Sequence, residues 1–121
     1  MVHSQHKGRA YEQKINRIIN QYFDFKDKQK LVRTPLSGGL DFSKEDSTSV
    51  VPNFFTSMFW LEYKNREAGN VYNWYKVSAD KKPVGNTKIP IVIHTKNQEK
   101  DFVTLHLDDF LYIVSFVTKI K

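Results

Sequence analysis

The segment FWLEYKN, residues 59–65, carries an apolar run into two charges, Glu62 and Lys64, one residue apart. On a strand, alternation sends Met58, Trp60, Glu62 and Lys64 to one face and Phe59, Leu61 and Tyr63 to the other. A carboxylate and an ammonium therefore project side by side. The carboxylate can hold a hard divalent cation through oxygen. The ammonium can orient or stabilise a negatively charged nucleophile or a phosphate. The plainer alternative is a strand end at which polar side chains meet water.

Two other places carry charge that a core does not need. Glu12 lies three residues before Ile15 and seven before Ile19, on the apolar stripe of the first helix. An acid there either reaches round to solvent or points at something positive. The run RTPLSGGLDFSKED, residues 33–46, sets Arg33, Ser37 and two glycines before Asp41, Glu45 and Asp46. Glycine lets a backbone approach a ligand, and acids beyond it can complete a metal shell. A flexible polar loop is the alternative. The four histidines show no H-x₃-H spacing, and His94 and His106 read as strand residues. Trp60, Tyr63, Trp74 and Tyr75 can stack on bases, but their spacing fits core packing better.

The elements that must position these groups follow from periodicity. Tyr11, Ile15, Ile18, Ile19 and Tyr22 predict a helix over 7–23. Residues 26–30 are a charged turn, 31–35 a short strand ended by Pro35, and Ser37-Gly38-Gly39 a loop. A strand falls within 46–51, followed by a turn at Pro52-Asn53. Residues 58–64 are the clearest strand. Val71, Trp74, Tyr75 and Ser78 give a short helix capped near Asn70. Residues 89–95 form a strand with Pro90 near its start, and 102–107 form the next. Asp108 caps a last helix, 109–117, that is apolar nearly all round. This order predicts an α/β fold, a central mixed β-sheet of four to five strands flanked by helices.

At 121 residues the chain is long enough for a single domain, 1–121, with one core. Cysteine is absent, which excludes disulfides and thiolate metal sites. No apolar run is long enough to span a bilayer, and the polar, basic N-terminus lacks a secretory h-region. A cytoplasmic protein without membrane contact is expected. The net charge of +6 favours a polyanionic partner, nucleic acid first.

A helix bearing Glu12, then Arg33-x-Pro35-x-Ser37-Gly38-Gly39, then Asp46, then a hydrophobic strand ending in Glu62-x-Lys64-x-Arg66 resembles the PD-(D/E)XK nuclease superfamily. The likeness is closest to small archaeal-type Holliday junction resolvases and related phage-encoded nucleases. Its motifs span residues 8–66, and beyond them it continues only as a pattern of elements. The resemblance implies a restriction-endonuclease-like core and a metal-dependent DNA endonuclease. Glu12, Asp46, Glu62 and Lys64 match the catalytic set. Asp46, Glu62 and Glu12 would be the acids that hold Mg²⁺ or Mn²⁺, and Lys64 would position the attacking water. Asp41 is the alternative to Asp46, because relatives commonly read G-D-I or P-D where this chain reads Glu45-Asp46-Ser47.

The expected partner is DNA, with branched DNA as the finer expectation. Arg9, Arg33, Ser37, Lys44 and Arg66 are the expected DNA contacts, and His3, His6, Lys7, Lys81 and Lys82 are further phosphate candidates. A homodimer through the apolar last helix is expected, since a junction with two scissile strands invites two-fold symmetry. A phage-encoded enzyme would work in the host-cell cytoplasm. The alternatives are a site-directed nicking or homing-type endonuclease on the same fold, and a nucleic-acid-binding module without catalysis.

Overall fold

A computed structural model describes residues 2–34, 44–97 and 99–119. Helix α1 (Val2–Tyr22) leads through a single 3-10 turn at Asp27–Gln29 to strand β1 (Val32–Arg33). Strand β2 (Ser47–Thr48), helix α2 (Phe54–Met58) and strand β3 (Phe59–Asn65) follow. Helix α3 (Val71–Lys81) then crosses to strand β4 (Ile89–Thr95). Strand β5 (Phe102–Thr104) and helix α4 (Leu107–Lys119) close the order.

β3, β4 and β5 form a mixed sheet in that order. β3 and β4 are parallel, with Leu61 opposite Ile91 and Glu62 opposite Val92. β5 runs antiparallel to β4, with Ile93 opposite Val103. A parallel pair needs a long crossover, which α3 supplies. β1 and β2 make a separate antiparallel ribbon. The expected α/β fold with a mixed sheet forms; among the described residues the mixed sheet has three strands, and the other two make the separate ribbon.

Alternation on β3 and β4 decides what each face of the sheet buries. Leu61, Tyr63, Ile91 and Ile93 pack against Tyr11, Ile15 and Ile19 of α1, with Phe25 and Leu31 closing the cluster. Trp60 faces the other way and donates from Nε1 to the carbonyl of Ser78 in α3, 3.0 Å away. Its burial under α3 explains why Trp60 is core and not a stacking platform; Tyr63 and Tyr75 are buried as well. The α1 stripe is narrower than its spacing suggests. Ile18 is largely exposed and Tyr22 stands in solvent at 81% exposure, because the sheet reaches only one flank of the helix.

Three local signals resolve differently from their sequence reading. In place of the turn expected at Pro52-Asn53, Asn53 caps a helix the sequence reading lacks, α2. Its side chain accepts from Thr56 N at 2.8 Å, while its own N–H donates to Thr56 Oγ1 at 3.2 Å. This reciprocal cap holds one extra turn of helix before β3. β5 stops at Thr104, so His106 lies beyond the strand. The chain turns into α4 there, and the first helical bond runs from Phe110 N to His106 O at 3.0 Å. Asp108 is consequently in the first turn with Asp109 instead of capping it, where both acids face the positive helix end.

Candidate active site

The ribbon of β1 and β2 docks on the free edge of β3 through one residue. Asp46 N–H donates to the carbonyl of Leu61 at 2.8 Å, and its carbonyl accepts from Thr34 N at 2.9 Å. Its carboxylate accepts from Tyr63 N at 2.7 Å. These bonds fall on the residues either side of Glu62, so Asp46 is fixed beside it by backbone pairing.

The same edge brings the other groups together. A cavity of about 770 Å³ opens at the C-terminal end of β3. Glu12, Asp46, Glu62 and Lys64 all line it, and so do Arg9, Arg33 and Arg66. Helix α1 supplies Glu12 from one side of the sheet, while alternation sends Glu62 and Lys64 to the other. They meet because the cavity straddles an edge that β4 leaves unpaired.

The electrostatics are crowded. Glu62 is buried at 5% exposure, with Oε2 3.5 Å from Lys64 Nζ. Its Oε1 has no hydrogen-bond partner among the described residues. The Asp46 carboxyl is pushed up to about 7, chiefly by burial and then by the charge of Glu62. Glu12 adds to that rise, while the Tyr63 N–H and Lys64 oppose it. Glu12 itself is turned to Arg33, whose Nε lies 2.7 Å from Oε1. Its place on the apolar stripe is thus answered by a positive partner and not by solvent.

A divalent cation suits these residues. The half-buried Asp46 and buried Glu62 carboxylates repel one another, a buried Glu62 oxygen lacks a donor among the described residues, and both are hard oxygen ligands. Among the described residues no group of three His, Cys, Asp or Glu side chains is arranged to hold a metal. Asp46 and Glu62 are therefore the candidate ligands, with Glu12 turned to Arg33. Two carboxylates are sufficient for Mg²⁺, which keeps several waters.

Lys44 is exposed and does not line the cavity. Ser37 and Asp41 lie outside the described residues. Lys7 and Lys81 do line it, joined by Asn65, which carried no distinguishing signal in the sequence. The Asn65 Oδ1 is buried without a partner among the described residues. Asn16 also escapes sequence reading. It is buried in α1, and its Oδ1 accepts from Ser47 Oγ at 2.9 Å and from Tyr63 OH at 2.8 Å. It ties α1, β2 and β3 together behind the acids. Burial pushes the Tyr63 phenol up, which keeps it a neutral donor. Next to Asp46, Glu45 is buried and paired with Lys88 at 3.0 Å, so it serves the scaffold.

A mixed sheet between helices, with E-x-K at a strand end and an aspartate locked beside it, defines the PD-(D/E)XK nuclease class. Residues 3–120 match the family described as "Phage putative PDDEXK endonuclease", and the chain belongs to that family. Comparison with curated proteins and with solved structures gave no match.

Proposed function

We propose that this protein is a divalent-metal-dependent DNA endonuclease that hydrolyses phosphodiester bonds in branched DNA. The observation that carries the metal-dependent reading is the forced proximity of Asp46 and Glu62. A buried Glu62 oxygen there lacks a donor among the described residues, and a lysine lies alongside. Asp46 and Glu62 would hold the ion, with Glu12 as a further acidic group at the cavity. When bound, Mg²⁺ or Mn²⁺ supplies the Lewis acidity that phosphodiester hydrolysis requires.

The chain's own residues do the rest. Lys64 Nζ offsets negative charge on the attacking oxygen and the phosphate. Arg33, oriented by Glu12, presents its remaining N–H groups to a phosphate. Lys7, Arg9, Arg66 and Lys81 contact the flanking backbone. An adjoining cavity of about 710 Å³ shares Arg33 and adds Arg17 of α1 with Lys26 and Lys30 beyond it, alongside Asp24 and Asp27. Lys44, and Ser37 outside the described residues, are further proposed contacts to the strand.

The whole chain acts as one nuclease domain, and we assign it to the cytoplasm of the host cell, where its substrate is. Helix α4 supports a homodimer. Phe110, Leu111, Tyr112, Phe116 and Val117 are all exposed on it, more apolar surface than a free helix ordinarily presents. Two copies would present two sites to the two strands of a junction.

Incubation with four-way junctions and with linear duplexes, in Mg²⁺ or EDTA, tests the reading. Mg²⁺-dependent paired cuts in the junction are expected. Site-limited cutting of linear duplex would indicate the nicking or homing type instead. Tight binding with no cutting of either DNA in Mg²⁺ would indicate a binding module and overturn the proposal.

A further inference from the structure

We infer that the cleft beside the acidic cavity is a nucleobase-stacking site, which takes an unpaired base next to the scissile phosphate. The inference rests on the nuclease reading and adds to it a preference for DNA with splayed nucleotides. The cleft encloses about 440 Å³ between the loop after β3 and the strands β4 and β5. Arg66, Glu67 and Ala68 line both this cleft and the acidic cavity, so the two are continuous.

Three aromatic rings form its wall. Trp74 of α3 and His94 of β4 have centroids 6.0 Å apart at 64°, and His94 and Phe102 of β5 have centroids 6.0 Å apart at 27°. The rings are pre-set. His94 Nε2 is 2.8 Å from Thr104 Oγ1, which fixes the imidazole. Gly69, at φ +124°, lies so close that an added Cβ would come within 2.6 Å of Trp74 Cζ2. The loop can close over the indole only with glycine there. Phe102 is 60% exposed, so its ring is open to a ligand at the cleft.

The charges around the wall fit a nucleotide. Arg66 on the side shared with the acids and Lys96 on β4's end can take phosphates. Glu67 and Glu99 also line the cleft. They disfavour a phosphate between the rings and can accept from N–H groups of a base, the N3–H of thymine included. A base stacked in a duplex cannot reach these rings, whereas a base unpaired at a branch point can.

Titrating the protein in EDTA, without cutting, gives the test. A short oligodeoxythymidylate should quench Trp74 emission, and an abasic strand of equal length should not. Trp60 is 1% exposed and should not respond, so Trp74→Phe should abolish the quench. Phe102→Ala should weaken binding of the base-bearing strand on the order of tenfold and leave the abasic strand unchanged. Equal quenching by both strands of the wild-type protein would overturn the inference, whatever the variants do. So would a quench that survives Trp74→Phe. Mg²⁺-dependent cutting is read separately, so loss of the nuclease reading and loss of the stacking site give different results.

Discussion

Glu62 and Lys64 are the pair on which hydrolysis depends in this reading, and they are separable from DNA binding. Glu62→Gln and Lys64→Ala should each lower cleavage by at least about a hundredfold. Equilibrium DNA binding in EDTA should change little, because the proposed phosphate contacts are Lys7, Arg9, Arg33, Arg66 and Lys81, which line the same cavity. A matching loss of binding would mean that these residues hold DNA and do no chemistry.

Asp46 gives a pH prediction at the same scale. Its carboxyl moves from 3.8 to about 7 on folding in the metal-free protein. Below 3.8 both folded and unfolded chains carry the proton. Between 3.8 and about 7 only the folded chain keeps it, so Asp46 stabilises the fold at low pH and that contribution is lost as pH rises through 7. The melting temperature of wild type relative to Asp46→Asn should therefore fall across this window. Mg²⁺ added at pH 8 should raise the wild-type melting temperature by binding only the folded chain. A difference that does not vary with pH would contradict this account of Asp46.

At the scale of elements, a few backbone devices hold the site. Asn53→Ala removes the reciprocal cap of α2 and should cost about 1 kcal/mol, read from thermal or denaturant unfolding. Gly69→Ala should cost about 1–3 kcal/mol, since it combines strained backbone with a clash on Trp74. A shift in tryptophan emission should accompany it, because the indole must move. Asp101 pins the β4–β5 turn to α1, accepting from Tyr11 OH at 2.8 Å and pairing with Lys14 at 3.5 Å. That contact sets α1 against the sheet and, with it, where Glu12 stands.

Over the whole molecule, the net charge of +6 and the Lys and Arg side chains around the acidic cavity predict that DNA affinity falls steeply with salt. Filter binding between low and physiological ionic strength checks this. The exposed apolar face of α4 predicts a dimer. Sedimentation should give twice 14.3 kDa for the wild type and 14.3 kDa for Phe110→Glu with Val117→Glu. A wild-type protein that sediments at 14.3 kDa removes the two-fold arrangement but leaves each site intact. No described helix is long and apolar enough to cross a membrane.

Much of this was legible from the chain. Periodicity is local, so α1, α3, β3 and β4 could be read from neighbours three, four or two residues apart. The E-x-K also declared itself, because two charges at the end of an apolar strand conflict with its pattern. The short pieces were harder. α2 depends on a side-chain cap, and β5 ends where α4 begins, which no period in so few residues can reveal. What only tertiary structure decided was the company each residue keeps. Glu12 gained Arg33, Asn16 joined α1 to β2 and β3, and Trp74 parted from Trp60, Tyr63 and Tyr75 to line a cleft. The nearness of Asp46 to Glu62 arises from pairing across the free edge of β3. Such pairing joins residues far apart in the chain, and composition and spacing hold no record of it.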